Sequence, residues 1–208
     1  MFLPRHFTEP DAEAVSDLVR TTGFGHLVVA GPHGLASTPL PFVADDGLSS
    51  IRAHLARPND VWLHAPCDAL LVVPVSDAYI SPGWYPSKRV DGKVVPTWNY
   101  EVVHLHGRLV VHDDPDWIHG QITELTDHHE AAMPSPWAVT DAPDEYIEKL
   151  RRSIVGIELD VTRIEAKRKL GQNKPDVDVA GAVDGLRRQG DHRSAAVADR
   201  MEGRCAGS

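Results

Sequence analysis

The spacing of apolar residues changes character several times along this chain, and each change predicts an element. Ala14, Val15, Leu18 and Val19 recur at helical spacing. Thr8 ahead of them, with Pro10 and Asp11 in the first turn, predicts an amphipathic helix capped by Thr8 and stopped by Gly23 and Gly25. Positions 26–30, 35–43 and 48–55 are short apolar or alternating runs separated by turn residues at 32–34 and 45–47, which predicts strands. A short helix is expected over 59–64 and a continuous apolar strand over 69–75. A long strand follows over 101–112, with Val103, Leu105, Leu109 and Val111 as its apolar positions. Helical periodicity then predicts helices over 116–129, 144–153 and 177–189, with a β-branched strand over 154–161. Asp113 or Asp114 caps the first of these helices, with Pro115 just inside it. Its Trp117, Gln121, Glu124 and His128 share one side, and Ile118, Ile122 and Leu125 another. Several short antiparallel strands with peripheral helices argue for a barrel of the α+β class. Residues 1–189 are read as one domain. From Gly190 the sequence turns small and polar, and 190–208 is expected to be a disordered tail.

Composition narrows the function classes. The 208 residues are 42% hydrophobic and 25% charged, with a net charge of −9, which is globular. No apolar run approaches the roughly 18 residues of a membrane span. The start, MFLPRHFTEPDAEAV, lacks a signal-peptide pattern. The two cysteines, Cys67 and Cys205, make no disulfide framework, which fits a reducing cytoplasm. An acidic chain is a poor match to direct nucleic-acid binding, where phosphate contacts call for a basic face. The basic segment at 163–174 is the one local candidate, and it has no helix-turn-helix or zinc-finger spacing beside it.

The stretch 79–100, YISPGWYPSKRVDGKVVPTWNY, holds three of four tyrosines and two of five tryptophans among helix-breaking prolines and glycines. Gathered rings either pack as a satellite core or wall a flat ligand or another subunit. Trp84 and Trp98 are the candidate wall, and Asn99 a polar group beside it. Lys88, Arg89 and Lys93 offer cations for a phosphate or carboxylate, or form a solvated face. Upstream, a strand over 51–55 turns Arg52 and His54 to one face and Ile51, Ala53 and Leu55 to the other. Arg57 and Asn59 then stand at the strand's mouth. His54 is either a structural histidine or a ligand to iron. His104 and His106 share a strand face two residues apart, without the partner spacing of a metal site. No GxGxxG, P-loop or Gly-x-Ser-x-Gly motif occurs.

Four motifs together resemble the PaiB-like family of the FMN-binding split β-barrel superfamily: 54–59 with Trp62, 79–88, VPTWNY at 95–100 followed by His104, and KLGQN at 169–173. The resemblance spans nearly the whole chain. It implies an antiparallel, FMN-binding-like split β-barrel with peripheral helices and a C-terminal helical segment, assembled as a homodimer with cofactor sites where subunits meet. It also implies two activities. Some members are haem-dependent piperazate synthases, which form the N–N bond of piperazic acid from N-hydroxyornithine, a small amino-acid substrate. Others are FMN-binding negative transcriptional regulators. Relatives often carry Phe-Gln-Gly-Pro where this chain has Val73, Pro74, Val75 and Ser76, and Ser-Gln-Asn-Arg where it has Gly171, Gln172, Asn173 and Lys174. Loss of an arginine removes a bidentate phosphate clamp, which favours haem b over FMN. On that reading His54 is the iron ligand. Arg57, Asn59, Trp84, Trp98, Asn99, His104, Gln172 and Asn173 surround the cofactor, and Lys88 and Tyr85 position the substrate or donate a proton.

Overall fold

A computed structural model of the protein describes residues 1–205. The six expected strands form, several of them longer than the apolar runs alone predict, and a short seventh, β3, is separate from β2: β1 (Phe24–Gly31), β2 (Gly34–Pro41), β3 (Val43–Ala44), β4 (Ser50–Ala56), β5 (Cys67–Ile80), β6 (Thr97–His112) and β7 (Ile154–Lys169). They make one antiparallel sheet in the order β2-β1-β5-β6-β7-β4-β3. Five α-helices accompany it among the described residues: α1 (Ala12–Thr22), α2 (Pro115–Glu130), α3 (Asp144–Arg151), α4 (Asp176–Gln189) and α5 (His192–Cys205). This is the antiparallel split-barrel class of α+β fold. No helix among the described residues is long and apolar enough to cross a membrane.

The chain divides into two compact units, a finer division than the one domain read over 1–189. One comprises Met1–Val15, Pro74–Val103 and the residues from Glu165 onward; the other comprises Ser16–Val73 and His104–Ile164. They are called unit 1 and unit 2 below.

In unit 2, β1 and β2 pair from Phe24 opposite Pro41 to Gly31 opposite Gly34, leaving Pro32 and His33 as a two-residue turn. Gly34 closes it at φ 109°, a conformation that side chains resist. β4 pairs with β7, placing Ala53 opposite Ile157 and Leu55 opposite Val155. These four are buried, with Ile51 and Leu159. The opposite face of β4 carries Arg52 and His54, as period-2 alternation requires. Asn59 starts a short 3-10 helix, Asp60–His64, by accepting a hydrogen bond from Val61 N. Asp114 caps α2 by accepting from Asp116 N and Trp117 N, with Pro115 in the first turn.

Unit 1 is built around α4 and α5. Val179, Ala182, Val183 and Leu186 of α4 and Val197, Ala198 and Met201 of α5 are buried with Ala78, Ile80, Tyr85 and Leu170. Here the structure corrects the expected disordered tail for positions 192–205. The segment is polar overall, but Val197, Ala198 and Met201 fall on one helical face, and their burial orders it. The last three residues of the expected tail, 206–208, lie outside the described residues. A second correction concerns the start of α1. Asp11 Oδ1 accepts from Glu13 N at 3.0 Å and Ala14 N at 3.4 Å, so Asp11 does the capping. Thr8 instead donates its hydroxyl to Pro4 O at 3.2 Å. The stretch 79–100 is only partly a loop. Tyr79 and Ile80 are the last two residues of β5, two short 3-10 helices span Pro82–Trp84 and Pro86–Arg89, and Trp98 to Tyr100 already belong to β6.

Candidate functional site

His54 lines an apolar cavity of unit 2. Its Nδ1 lies 2.8 Å from Gln121 Oε1 on α2. An amide oxygen only accepts, so Nδ1 is the donor, and a ring with one proton would keep its lone pair on Nε2. His54 lines a cavity of about 280 Å³ together with Ile122, Thr126, Trp137, Val139, Ile147, Leu150, Arg151, Ser153 and Ile154. This wall is mostly apolar, and it is assembled from α2, α3, the segment between them and the start of β7. Among the described residues, Gln121 Nε2 and Arg151 Nε are buried donors with no partner. Buried donors are normally satisfied, and an orphan costs about 1–3 kcal/mol. The other nitrogens of Arg151 are engaged by Glu148 and by Pro115 O.

Arg151 also faces a second cavity of about 440 Å³, shared with Arg57, Arg152, Asp113, Glu148, Pro115 and Ile118. Arg57 forks onto Asp113, with 3.2 and 2.5 Å contacts, and adds the carbonyls of Arg152 and Ile154. That hydrogen-bonded pairing holds the Asp113 carboxyl below its ordinary value and the Arg57 guanidinium above its own. Asn59 donates to Thr38 Oγ1 at 3.2 Å, and Trp62 Nε1 donates to Arg57 O at 3.1 Å. Arg52 forks onto Glu124 of α2. His104 lies on β6 with its ring 6.2 Å from that of His106, and it is not among the residues lining the His54 cavity.

The other residues expected at the site belong to unit 1. Trp84 and Trp98 line a cavity of about 450 Å³ with Tyr79. Tyr85 is a core residue with Lys174 Nζ 5.2 Å from its ring centre. Burial, then the charge of Asp178, pushes its hydroxyl above the ordinary value. Lys88 and Asn173 are exposed. Asn99 is buried and donates to Met201 Sδ at 3.3 Å. Gln172 shapes its own turn, accepting from Leu170 N at 2.7 Å and donating to Arg168 O at 2.6 Å. The structure therefore groups His54, Arg57, Asn59 and His104 in unit 2 and Tyr85, Lys88, Trp84, Trp98, Asn99, Gln172 and Asn173 in unit 1.

Sequence reasoning missed three participants. Gln121 was placed on a polar side of α2, yet it is buried with Ile118 and Leu125. Its spacing, three beyond Ile118 and four before Leu125, carried that signal. Arg151 falls in the predicted 144–153 helix, and Trp137 falls between that helix and the one over 116–129. Glu101 in unit 1 was also missed. Its buried carboxylate accepts from Ser76 Oγ at 2.9 Å and Arg168 Nε at 2.6 Å. Burial alone would lower the Arg168 guanidinium, and hydrogen bonds to Glu9 and Glu101 outweigh it and raise it.

The fold is an antiparallel split barrel with a histidine beside a mostly apolar cavity, and comparison with known proteins narrows its class. The chain belongs to the family described as "Putative FMN-binding domain", whose model matches residues 1–163. It is 28% identical over 206 residues to the Bacillus subtilis protein named "Protease synthase and sporulation protein PAI 2", covering 97% of each chain. Among solved structures, it resembles the FAD and heme binding protein from Mycobacterium smegmatis with a TM-score of 0.58 and 17% identity, covering 83% of this chain and 78% of that one. It resembles the flavocytochrome Anf3 from Azotobacter vinelandii with a TM-score of 0.57 and 15% identity, covering 80% and 72%. At those identities the structural matches establish the fold.

Proposed function

We propose that the chain binds a planar redox cofactor in the His54 cavity of unit 2, that the cofactor is haem b, and that His54 Nε2 takes the iron. The observation that carries this reading is the His54–Gln121 hydrogen bond. Histidines that ligate metals characteristically donate their other ring nitrogen to an oxygen acceptor, which fixes the tautomer and the ring plane. The residues present fit haem in two further respects. The lining is apolar enough to exclude water from a porphyrin face, and Arg151 Nε is an unsatisfied buried donor for a propionate carboxylate. Bound haem would supply one-electron and oxygen-directed chemistry at iron. The chain's own work is to orient the iron through His54, exclude water with Ile122, Val139 and Ile147, and neutralise carboxylates with Arg151.

The finer reaction, N–N bond formation from N-hydroxyornithine as in piperazate synthases, extends this reading. Its support is the motif resemblance. Tyr85, packed in the core of unit 1, is better assigned to packing than to proton donation.

An FMN-binding regulator of the PaiB type is the second reading. Supporting it are the 28% identity to PAI 2 across 97% of both chains and the three arginines around the 440 Å³ cavity, which suit a phosphate. The net charge of −9 argues that such a regulator would act through a partner rather than by gripping DNA itself. The absorbance spectrum of the purified, cofactor-supplemented protein separates the readings. A Soret band near ~410 nm that His54→Ala abolishes supports haem, and a flavin spectrum without one replaces it by FMN.

A further inference from the structure

Unit 1 contains a cavity of about 450 Å³ whose lining shares no residue with the His54 cavity. Three of its walls are aromatic: Tyr79, Trp84 and Trp98. Tyr79 and Trp98 meet edge to face, with centroids 6.1 Å apart and planes 70° apart, so they form an L-shaped corner. Both remain about half exposed, at 46% and 52%. Their packing against each other therefore leaves much of their ring surface uncovered. Trp84 is held against α4. A Cβ added at Gly185 would lie 2.2 Å from its indole, and one at Gly181 would lie 2.2 Å from its carbonyl oxygen. Two glycines one turn apart thus let α4 seat the ring as a third wall.

The polar part of the lining is acidic. Asp77 and Asp191 stand against one guanidinium, Arg193. Arg193 is already paired with Asp77 at 2.9 Å, which leaves Asp191 as the lining carboxylate without an ion pair to Arg193, its Oδ1 accepting from Ser194 N at 3.0 Å in the first turn of α5. Hydrogen bonds from Ser194 hold the Asp191 carboxyl below its ordinary value, so it stays ionised. A flat ring has a single stacking direction in a 70° corner, and an anion would meet the negative faces of the rings. A compact cation with alkyl groups instead presents polarised C–H groups to several faces at once, with a carboxylate at hand.

We infer that this cavity binds a substituted alkylammonium ion, with Tyr79, Trp84 and Trp98 as the cage and Asp191 as the counter-charge. Nothing in this inference depends on the cofactor at His54.

Isothermal titration of the full chain with tetramethylammonium and with choline, against sodium chloride at matched ionic strength, tests it. Saturable binding is expected for both ammonium ions and none for sodium. Trp98→Ala should weaken that binding about tenfold or more, Trp98→Phe should retain most of it, and Asp191→Asn should weaken it severalfold. Far-ultraviolet circular dichroism checks that each variant folds. His54→Ala should leave ammonium binding unchanged, which separates a failure here from a failure of the haem reading. Absence of saturable binding overturns the inference, as does equal affinity in Trp98→Ala. Binding of a planar aromatic anion in preference to tetramethylammonium also overturns it.

Discussion

His54 illustrates how little of a side chain's role resides in its own identity. On β4 it is one polar residue on an outward face. Gln121, buried between Ile118 and Leu125, converts it into a ring of fixed tautomer beside an apolar cavity. Gly185 shows the same dependence by subtraction, because a methyl group there would overlap the Trp84 indole. Gly185→Ala is expected to destabilise unit 1 by about 1–3 kcal/mol, lowering its thermal midpoint by several degrees despite the better helix propensity of alanine. An unchanged or raised midpoint would show that Trp84 moves aside freely. Cys67 offers a pH test. Burial pushes its thiol up, and Asp68 adds to this against the opposing charge of Arg108. A raised value means less thiolate at any given pH. Peptide-resolved alkylation at Cys67 should therefore rise with a midpoint above the ordinary thiol value of about 8.5. A midpoint at or below that value contradicts the burial account.

Elements were legible where a repeating pattern reported burial. The strands and α2 follow from alternation, helical spacing, and Asp114 with Pro115, all visible in the sequence. The misses have physical causes. α5 contains only a narrow buried stripe, and the polar residues around it read as tail. Asn99 and Glu101 face inward on β6 although they are polar, which masks the alternation that would have extended that strand back to Thr97. The cap of α1 passed to Asp11 because its carboxylate reaches two backbone amides that Thr8 does not. Met201 gives the direct test of α5. It is buried and also accepts from Asn99 Nδ2. Met201→Ala should cost about 2–5 kcal/mol and shift the denaturation midpoint of unit 1 accordingly. A shift below about 0.5 kcal/mol, the size of an ordinary surface substitution, would mean that α5 contributes nothing to that core.

For the whole molecule, the family and the split-barrel fold follow together from sequence motifs and structure. Motif resemblance places His54, the two tryptophans, Asn99 and the 169–173 segment around a cofactor where two subunits meet. The structure distributes them between two compact units, each with a cavity of its own. Spacing along a chain cannot show which residues a fold assembles from distant segments, and that is why the place of Arg151 and Trp137 beside His54 does not follow from it. The central claim is that His54 carries haem iron, its ring held by Gln121. The most direct measurement is the absorbance spectrum of haem-reconstituted wild-type protein beside His54→Ala and Gln121→Ala. The account predicts a Soret band in the wild type, its loss in His54→Ala, and a weakened haem affinity of about 10–100-fold in Gln121→Ala. Full Soret intensity in His54→Ala, or a purified protein carrying flavin alone, would contradict it.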